Sequence, residues 1–249
     1  MRSIKTKLIA IILSIVVVAL ALLGSVSYWN ARNILVADTE ENLVSLVKAH
    51  ANEIGLWLSI RTAEISLLAN SPVLLSGDKD ASIRYLSEEL NHNAFYQFFF
   101  VTDEKGNATN TIKIPLNVAD RDYFKNAVAQ GRTIVSNPII SKTDGKQLVM
   151  VVAPLKKNGQ IVGTVGGAVA IDDLVKRILE IKVGKSGYGF VKQSDGLTII
   201  HPDPNIMMHY NDLEDSAADP QVKAVTEEMI KGHTGLSQYT WQGTPQYLA

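Results

Sequence analysis

The stretch ADRDYFKNAVAQGR, Ala119 to Arg132, holds the residues of this chain best suited to gripping a charged molecule. Arg121 stands between Asp120 and Asp122 and is followed by Tyr123 and Phe124. A guanidinium offers donors in a fixed fork that matches a carboxylate through two parallel bonds, each charge-assisted bond contributing about 1.5–3 kcal/mol. The plainer reading is a surface arginine balanced by its acidic neighbours, an arrangement worth little in water. Spacing alone leaves both open. Elsewhere the sequence offers less chemistry. His201 and His209 flank PDPNIMM, which contains Asp203, but their spacing matches no established ligand pattern, and the histidines read as loop residues with no metal expected. The pairs Glu40-Glu41, Glu88-Glu89 and Glu227-Glu228 read as solvated helix faces, because adjacent carboxylates on a helix do not face each other. No general acid/base pair and no nucleophile with its base emerges, so no catalytic residues are expected and the chain reads as a non-enzyme. GTVGG, Gly163 to Gly167, lies in an apolar strand run without the turn into a helix that a phosphate cradle needs, and reads as close backbone packing. GKSG, Gly184 to Gly187, lacks the preceding glycine of a phosphate-binding loop.

The bulk numbers narrow the classes further. Lys and Arg total 24 against 25 Asp and Glu, a net charge of -1, so no global basic field is available to hold a nucleic-acid backbone. The absence of cysteine excludes disulfide scaffolds, thiolate zinc sites and cysteine nucleophiles together. No cofactor is expected.

The elements that must position Arg121 begin with an apolar run. From Leu8 to Val26 no charge occurs, close to the roughly 20 residues that a helix needs to cross a bilayer. Tyr28 and Trp29 stand where interfacial aromatics belong, and the flank GSVSYWNARN fits a cleavage site poorly, so residues 8–28 read as an uncleaved transmembrane helix. Arg2, Lys5 and Lys7 precede the run, whereas Arg32 is soon followed by Asp38, Glu40 and Glu41. The positive-inside rule then makes residues 1–7 cytoplasmic and everything after about residue 29 periplasmic or extracellular, a single pass through the inner membrane. Asn30 to Ser71 contains no Pro, and Leu43, Leu46, Val47, Ile54, Leu58, Ile65 and Leu68 recur at helical steps. That predicts a long stalk helix within residues 29–77, about 60 Å at 1.5 Å per residue, which pairs with a copy of itself or packs along its own domain. Pro72 and the Gly77-Asp78 turn end it.

DASIRYLSEELNHN predicts a short helix, and FYQFFFVTDEKGNATN a strand, a turn at Gly106 and a return. TIVSNPIIS, the turn KTDGKQ, LVMVVAPLK, the turn KNGQ and IVGTVGGAVAI continue an antiparallel meander closed by the helix DDLVKRILEI, with Asp172 available as its cap. The aromatics Tyr96, Phe98, Phe99 and Phe100 read as strand core split between two faces by alternation. From Val183 the layout repeats weakly: YGFVKQ, a Ser-Asp-Gly turn, LTIIHPDP, the helix DPQVKAVTEEMIKGHTG and a hairpin in LSQYTWQGTPQYLA whose second strand is cut off at Ala249. The second unit reads as unfinished, the expectation for a truncated chain.

The anchor, the long helix, DRDYF, VSNPI, VMVVAPL, GTVGGAVAIDDL, GKSGYGFV and DGLTIIHPDP, in this order, resemble the double Cache sensor domain of bacterial chemoreceptors, the methyl-accepting chemotaxis proteins, and of related transmembrane histidine kinases and cyclases. The resemblance covers nearly the whole chain. It implies an α+β fold: the stalk, then two PAS-like modules with antiparallel sheets, a membrane-distal one at 78–182 that binds a small molecule and an incomplete membrane-proximal one at 183–249. In the amino-acid-binding branch of that family the distal pocket pairs an arginine with the ligand carboxylate, an aspartate with its ammonium, and aromatic residues with its body. The resemblance places Arg121 at the arginine, Tyr123 at a tryptophan, Phe124 at a tyrosine, Ile139 at a strand tyrosine and Ala168 at the aspartate. An ammonium buried in such a pocket needs a partner that alanine cannot supply. An organic acid or amino-acid-like metabolite is therefore the expected ligand, and a homodimer through the long helix the expected assembly. Cytoplasmic signalling partners would be reached only through further C-terminal domains. The alternative outputs are a histidine kinase or a diguanylate cyclase; a membrane-anchored exterior hydrolase would need a nucleophile and base that the sequence does not offer.

Overall fold

The computed structural model describes residues 4–140, 147–184, 186–241 and 244–249. Helix α1 runs Ile4–Ala69 and stops where the sequence forces it to. Ser71 is extended (φ -65°, ψ 128°), as a residue before proline must be, and Pro72 starts a separate four-residue helix α2, Pro72–Leu75. The long helix thus ends at Ala69, with α2 a distinct turn inside the range the sequence assigns to the stalk. The N-terminal part of α1 is long and apolar enough to cross a membrane. Helix α3, Lys79–His92, is capped by Asp78, whose side chain accepts from the Ala81 N–H at 3.0 Å.

Seven strands then form one antiparallel sheet: β1 Tyr96–Thr102, β2 Asn107–Asn110, β3 Leu116–Asn117, and, after helix α4 (Asp122–Gln130), β4 Ile134–Val135, β5 Ile139–Ile140, β6 Gln147–Lys157 and β7 Gln160–Ala170. The order is β3-β2-β1-β7-β6-β4, with β5 also pairing to β6. The turn KTDGKQ lies outside the described residues apart from Gln147. One face of the sheet carries Phe99, Val101, Val149, Val151, Val165 and Val169 against α3 and the end of α1, where Ile65 and Leu86 are fully buried. The opposite face carries Phe100, Met150, Val152 and Ala168 against Phe124 and Ala127 of α4. A β-bulge between Tyr96 and Phe98 shifts the register against β7, so Tyr96 joins Phe99 on the α1 face, ring centroids 4.4 Å apart, while Phe98 and Phe100 stay on the α4 face. Strict alternation along β1 does not predict that pairing.

Gly166 and Gly167 make room for these rings. A Cβ at Gly166 would lie 2.4 Å from Phe100 Cζ, and one at Gly167 2.5 Å from Tyr96 Cδ1, so the two glycines let an aromatic ring lie flat on each face of the central strand. Fully burying a Phe or Val side chain stabilises by about 1.5–3 kcal/mol, which makes this doubly covered sheet the main store of stability. Helix α1 is tied to it by polar contacts as well. Arg61 is buried, bonds Glu64 at 2.8 and 3.0 Å and stacks over Phe95, and Tyr96 Oη donates to Glu64 Oε2 at 2.7 Å.

Helix α5, Asp172–Glu180, follows β7. Its N-cap is Ile171; Asp172 is the first helical residue, and no side chain caps the end, in contrast to the cap expected from the sequence. Beyond it come two small sheets, β8 Lys182–Val183 with β9 Gly187–Tyr188, and β10 Val191–Lys192 with β11 Thr198–Ile200, then helix α6, Pro220–Ile230. YGFVKQ is therefore two short strands rather than one. The repeat seen in the sequence has a structural counterpart in the turns. Asp103 accepts from the N–H groups of Lys105 and Asn107 beside Gly106 (φ 77°), and Asp195 accepts from Leu197 N–H beside Gly196 (φ 93°). Lys192 and Asp212 form a buried ion pair whose carboxylate also accepts from Thr226 Oγ1 at 2.9 Å. The last two strands, β12 Ser237–Trp241 and β13 Thr244–Leu248, pair as an antiparallel hairpin over their whole lengths.

Candidate ligand-binding site

The segment that carries Arg121 is held to the sheet by backbone contacts. Val118 N–H donates to Gly106 O at 2.9 Å, and a side chain at Gly106 would meet Ala119 N at 2.6 Å, so this turn needs glycine both for its positive φ and for the close approach. Arg121 is the N-cap of α4, its carbonyl accepting from the N–H groups of Phe124 and Lys125, both at 3.1 Å. Its side chain makes no capping bond and is 52% exposed, with Nε 3.9 Å from Asp120 Oδ1. At that distance and exposure the pair holds Arg121 only loosely. The guanidinium is therefore free to take a better anion, and it sits at the end of α4 where the helix dipole is positive.

The other residues singled out from the sequence fall into two groups. Tyr123, Phe124 and Ala168 belong to the same apolar layer between α4 and the sheet. Phe124 is buried within it, whereas Tyr123 lies at its margin, ring centroid 6.4 Å from that of Phe100. Burial pushes the Tyr123 phenol up from its usual range; the Arg121 charge pulls it down and Asp120 adds to the rise. Tyr123 thus feels the charge of the arginine two residues before it. Ala168 is fully buried and stands opposite Phe98 on one neighbouring strand and Met150 on the other. Ile139 is apart from this group, 40% exposed on the short strand β5 opposite Leu148. The layer accordingly presents an arginine and a phenol at its rim and apolar side chains within.

The loop histidine His201 is spent locally. His201 Nδ1 accepts from the Asp203 N–H at 2.9 Å, which leaves the proton on Nε2 for Tyr188 Oη at 3.1 Å. Among the described residues no group of three or more His, Asp or Glu is placed to hold a metal ion. Three polar features were not legible in the sequence: the buried Arg61 with Glu64 and Tyr96, the Lys192–Asp212 pair, and Gln147, whose Oε1 is buried without a donor among the described residues. A lone polar residue in a helical or strand run carries no sign of burial until its neighbours are known; the one available hint is Gln147 at the head of the otherwise apolar LVMVVAPL.

The family model of the Cache domain (dCache_1) matches residues 31–249, starting in α1 and taking in both the seven-stranded sheet and the smaller sheets after it. The chain belongs to the Cache domain family. This Cache domain is 24% identical over 208 residues to the methyl-accepting chemotaxis protein PctB of Pseudomonas aeruginosa, covering 82% of this chain and 33% of PctB. It is 26% identical over 262 residues to the methyl-accepting chemotaxis protein McpA of Bacillus subtilis, covering 100% of this chain and 37% of McpA. The chain therefore spans about a third of the length of these curated relatives. Among solved structures, the ligand-binding domain of the P. aeruginosa amino acid chemoreceptor PctC in complex with GABA has a TM-score of 0.70 and 22% identity, over 84% of this chain and 90% of that domain. At that identity the likeness is one of fold.

Proposed function

We propose that this Cache domain is the exterior sensing region of a bacterial transmembrane chemoreceptor and takes a small carboxylate-bearing metabolite on the α4 face. The observation that carries the reading is the family membership over residues 31–249, joined to an N-terminal helix that can cross a membrane. Residues 8–28 span the inner membrane, residues 1–7 face the cytoplasm, and the remainder lies outside. Residues 78–182 form the membrane-distal module and 183–249 the proximal one. The names of PctB and McpA support chemotaxis as the output, and a sensor role leaves no catalytic task for these residues. A homodimer through α1 supplies the second copy for signalling, and a small displacement of α1 passes a two-state shift to the membrane.

In the binding reaction Arg121 takes the carboxylate through its two-bond fork and Tyr123 closes the rim beside it, with the buried Phe124 and Ala168 beneath as an apolar floor. Ile139 flanks the far side of the sheet edge. Ala168 gives an ammonium group no carboxylate in that floor, and Asp120, 79% exposed, lies outside it, so an α-ammonium would be left poorly paired. A short organic acid, or an amino acid whose ammonium is remote from its carboxylate as in GABA, fits better than a standard α-amino acid. Titration of the full chain in lipid nanodiscs with a panel of carboxylates and amino acids, read by isothermal calorimetry, tests this. Arg121→Ala should weaken the best carboxylate by about tenfold or more, while the melting temperature without ligand hardly changes. Unchanged affinity in that variant, or tight binding of α-amino acids alone, refutes the assignment.

A further inference from the structure

A second opening lies away from the α4 face, between α5, the start of β6 and the loop that follows β11. It is a cleft of about 490 Å³, within the range of small-molecule sites. Val175 and Leu179 of α5 and Met207 of the loop supply its apolar lining. Asp172, Lys176 and Glu180 stand four residues apart along α5 at its edge. One of the two carboxylates can pair with Lys176, which leaves one negative charge over. Gln147 also lines it. Its Nε2 donates to Met207 Sδ at 3.2 Å, and its Oε1 is buried with no hydrogen-bond donor among the described residues. Turning the amide over would set its oxygen against the sulfur lone pairs and give up the N–H donated to Met207. A buried amide oxygen without a donor costs about as much as a lost hydrogen bond, so a ligand that supplies an N–H gains that term on binding.

We propose that this cleft is a second ligand site, for a short aliphatic amine. The ammonium donates to Gln147 Oε1, a remaining α5 carboxylate balances its charge, and the alkyl chain lies against Val175, Leu179 and Met207. A carboxylate in the same cleft would meet the Gln147 oxygen and a net negative edge, so the site selects the opposite charge to the one Arg121 takes. Because Gln147 begins β6 of the seven-stranded sheet and Met207 belongs to the loop after β11, the bound amine would fasten that loop to the sheet.

The experiment uses the full chain in nanodiscs with n-butylamine as probe and n-butanoate and n-butanol as controls. Methyl-labelled methionine reports on the site through Met207, its resonance assigned by Met207→Leu. The expected result is a saturable shift of the Met207 methyl with n-butylamine and none with n-butanoate. Gln147→Leu should weaken the amine about tenfold and Gln147→Glu should tighten it by a similar factor. An unmoved Met207 resonance, an equal response to n-butanoate, or a Gln147→Glu variant that binds the amine no more tightly each overturns the proposal. The Gln147→Glu arm keeps the test decisive if Gln147→Leu folds poorly.

Discussion

Two neighbouring glycines allow the two faces of the sheet to be perturbed separately. In Gly166→Ala the added methyl would sit 2.4 and 2.5 Å from Phe100 Cζ and Cε1 and 3.0 Å from Val152 Cγ2, where carbon atoms normally keep about 3.5–4.0 Å. Phe100 and Val152 are both fully buried, so neither can swing away, and β1 or the ring must move by about 1 Å. Overpacking of this kind costs about 1–3 kcal/mol, and the enclosed ring argues for the upper part of that range. At about 2–4 °C per kcal/mol for a domain of this size, the melting temperature should fall by about 4–12 °C. Gly167→Ala crowds Tyr96 Cδ1 at 2.5 Å and Phe99 Cε1 at 2.9 Å on the opposite face, and should cost a similar amount. The difference is in what each ring touches. Phe100 neighbours Tyr123 on the α4 face, so displacing it should weaken the carboxylate that binds best in the panel; Tyr96 and Phe99 face α1 and should leave that affinity within about twofold. Circular dichroism melts with and without that carboxylate measure both quantities. A neutral Gly166→Ala, or a Gly167→Ala that weakens binding as much as Gly166→Ala, would show that the two faces are not the separate layers described.

Two further outcomes follow from buried and partly buried charge beyond α5. Asp212→Asn leaves the buried Lys192 without its counter-charge and should destabilise by about 3–5 kcal/mol, whereas the joint replacement Lys192→Met with Asp212→Leu should recover most of that loss in urea titration; equal damage from both would contradict the pairing. Burial lowers the His201 pKa against the opposing pull of Asp203, so the unfolded chain binds its proton more readily, and the His201 contribution is full above the ordinary value of 6.5 and is lost as pH falls below it. His201→Gln should therefore flatten the melting-temperature profile on the acid side of pH 6.5, and an identical slope in both proteins would rule the effect out.

The elements were legible where a local rule decides them. The pre-proline geometry of Ser71 keeps α1 from running on whatever packs around it, and the polar turns with Gly between apolar runs fix the antiparallel meander. The Cache membership was legible too, because it rests on the order of many short motifs along the chain and not on one residue. What the sequence hid depends on distance in space. The bulge that moves Tyr96 beside Phe99 has no mark in YQFFFV, since its cause is the register that β1 must keep with β7.

Arg121 illustrates the harder limit. From DRD alone a balanced surface charge is the plainer reading and an anion grip stays open, and its surroundings give each reading a part: Asp120 lies near enough to be a partner and too far to be a strong one. A loosely held guanidinium is what a site that must bind and release requires, because an arginine already paired at short range would have to break that bond first. Its companion is decided by burial. Ala168 lies deep among Phe98, Phe100 and Met150, where a carboxylate would be stable only with a cation beside it, so an uncharged residue at that position and the apolar packing around it are one property of the layer. In the proposed site, ligand choice and the stability of the sheet beneath it would therefore be set by the same residues.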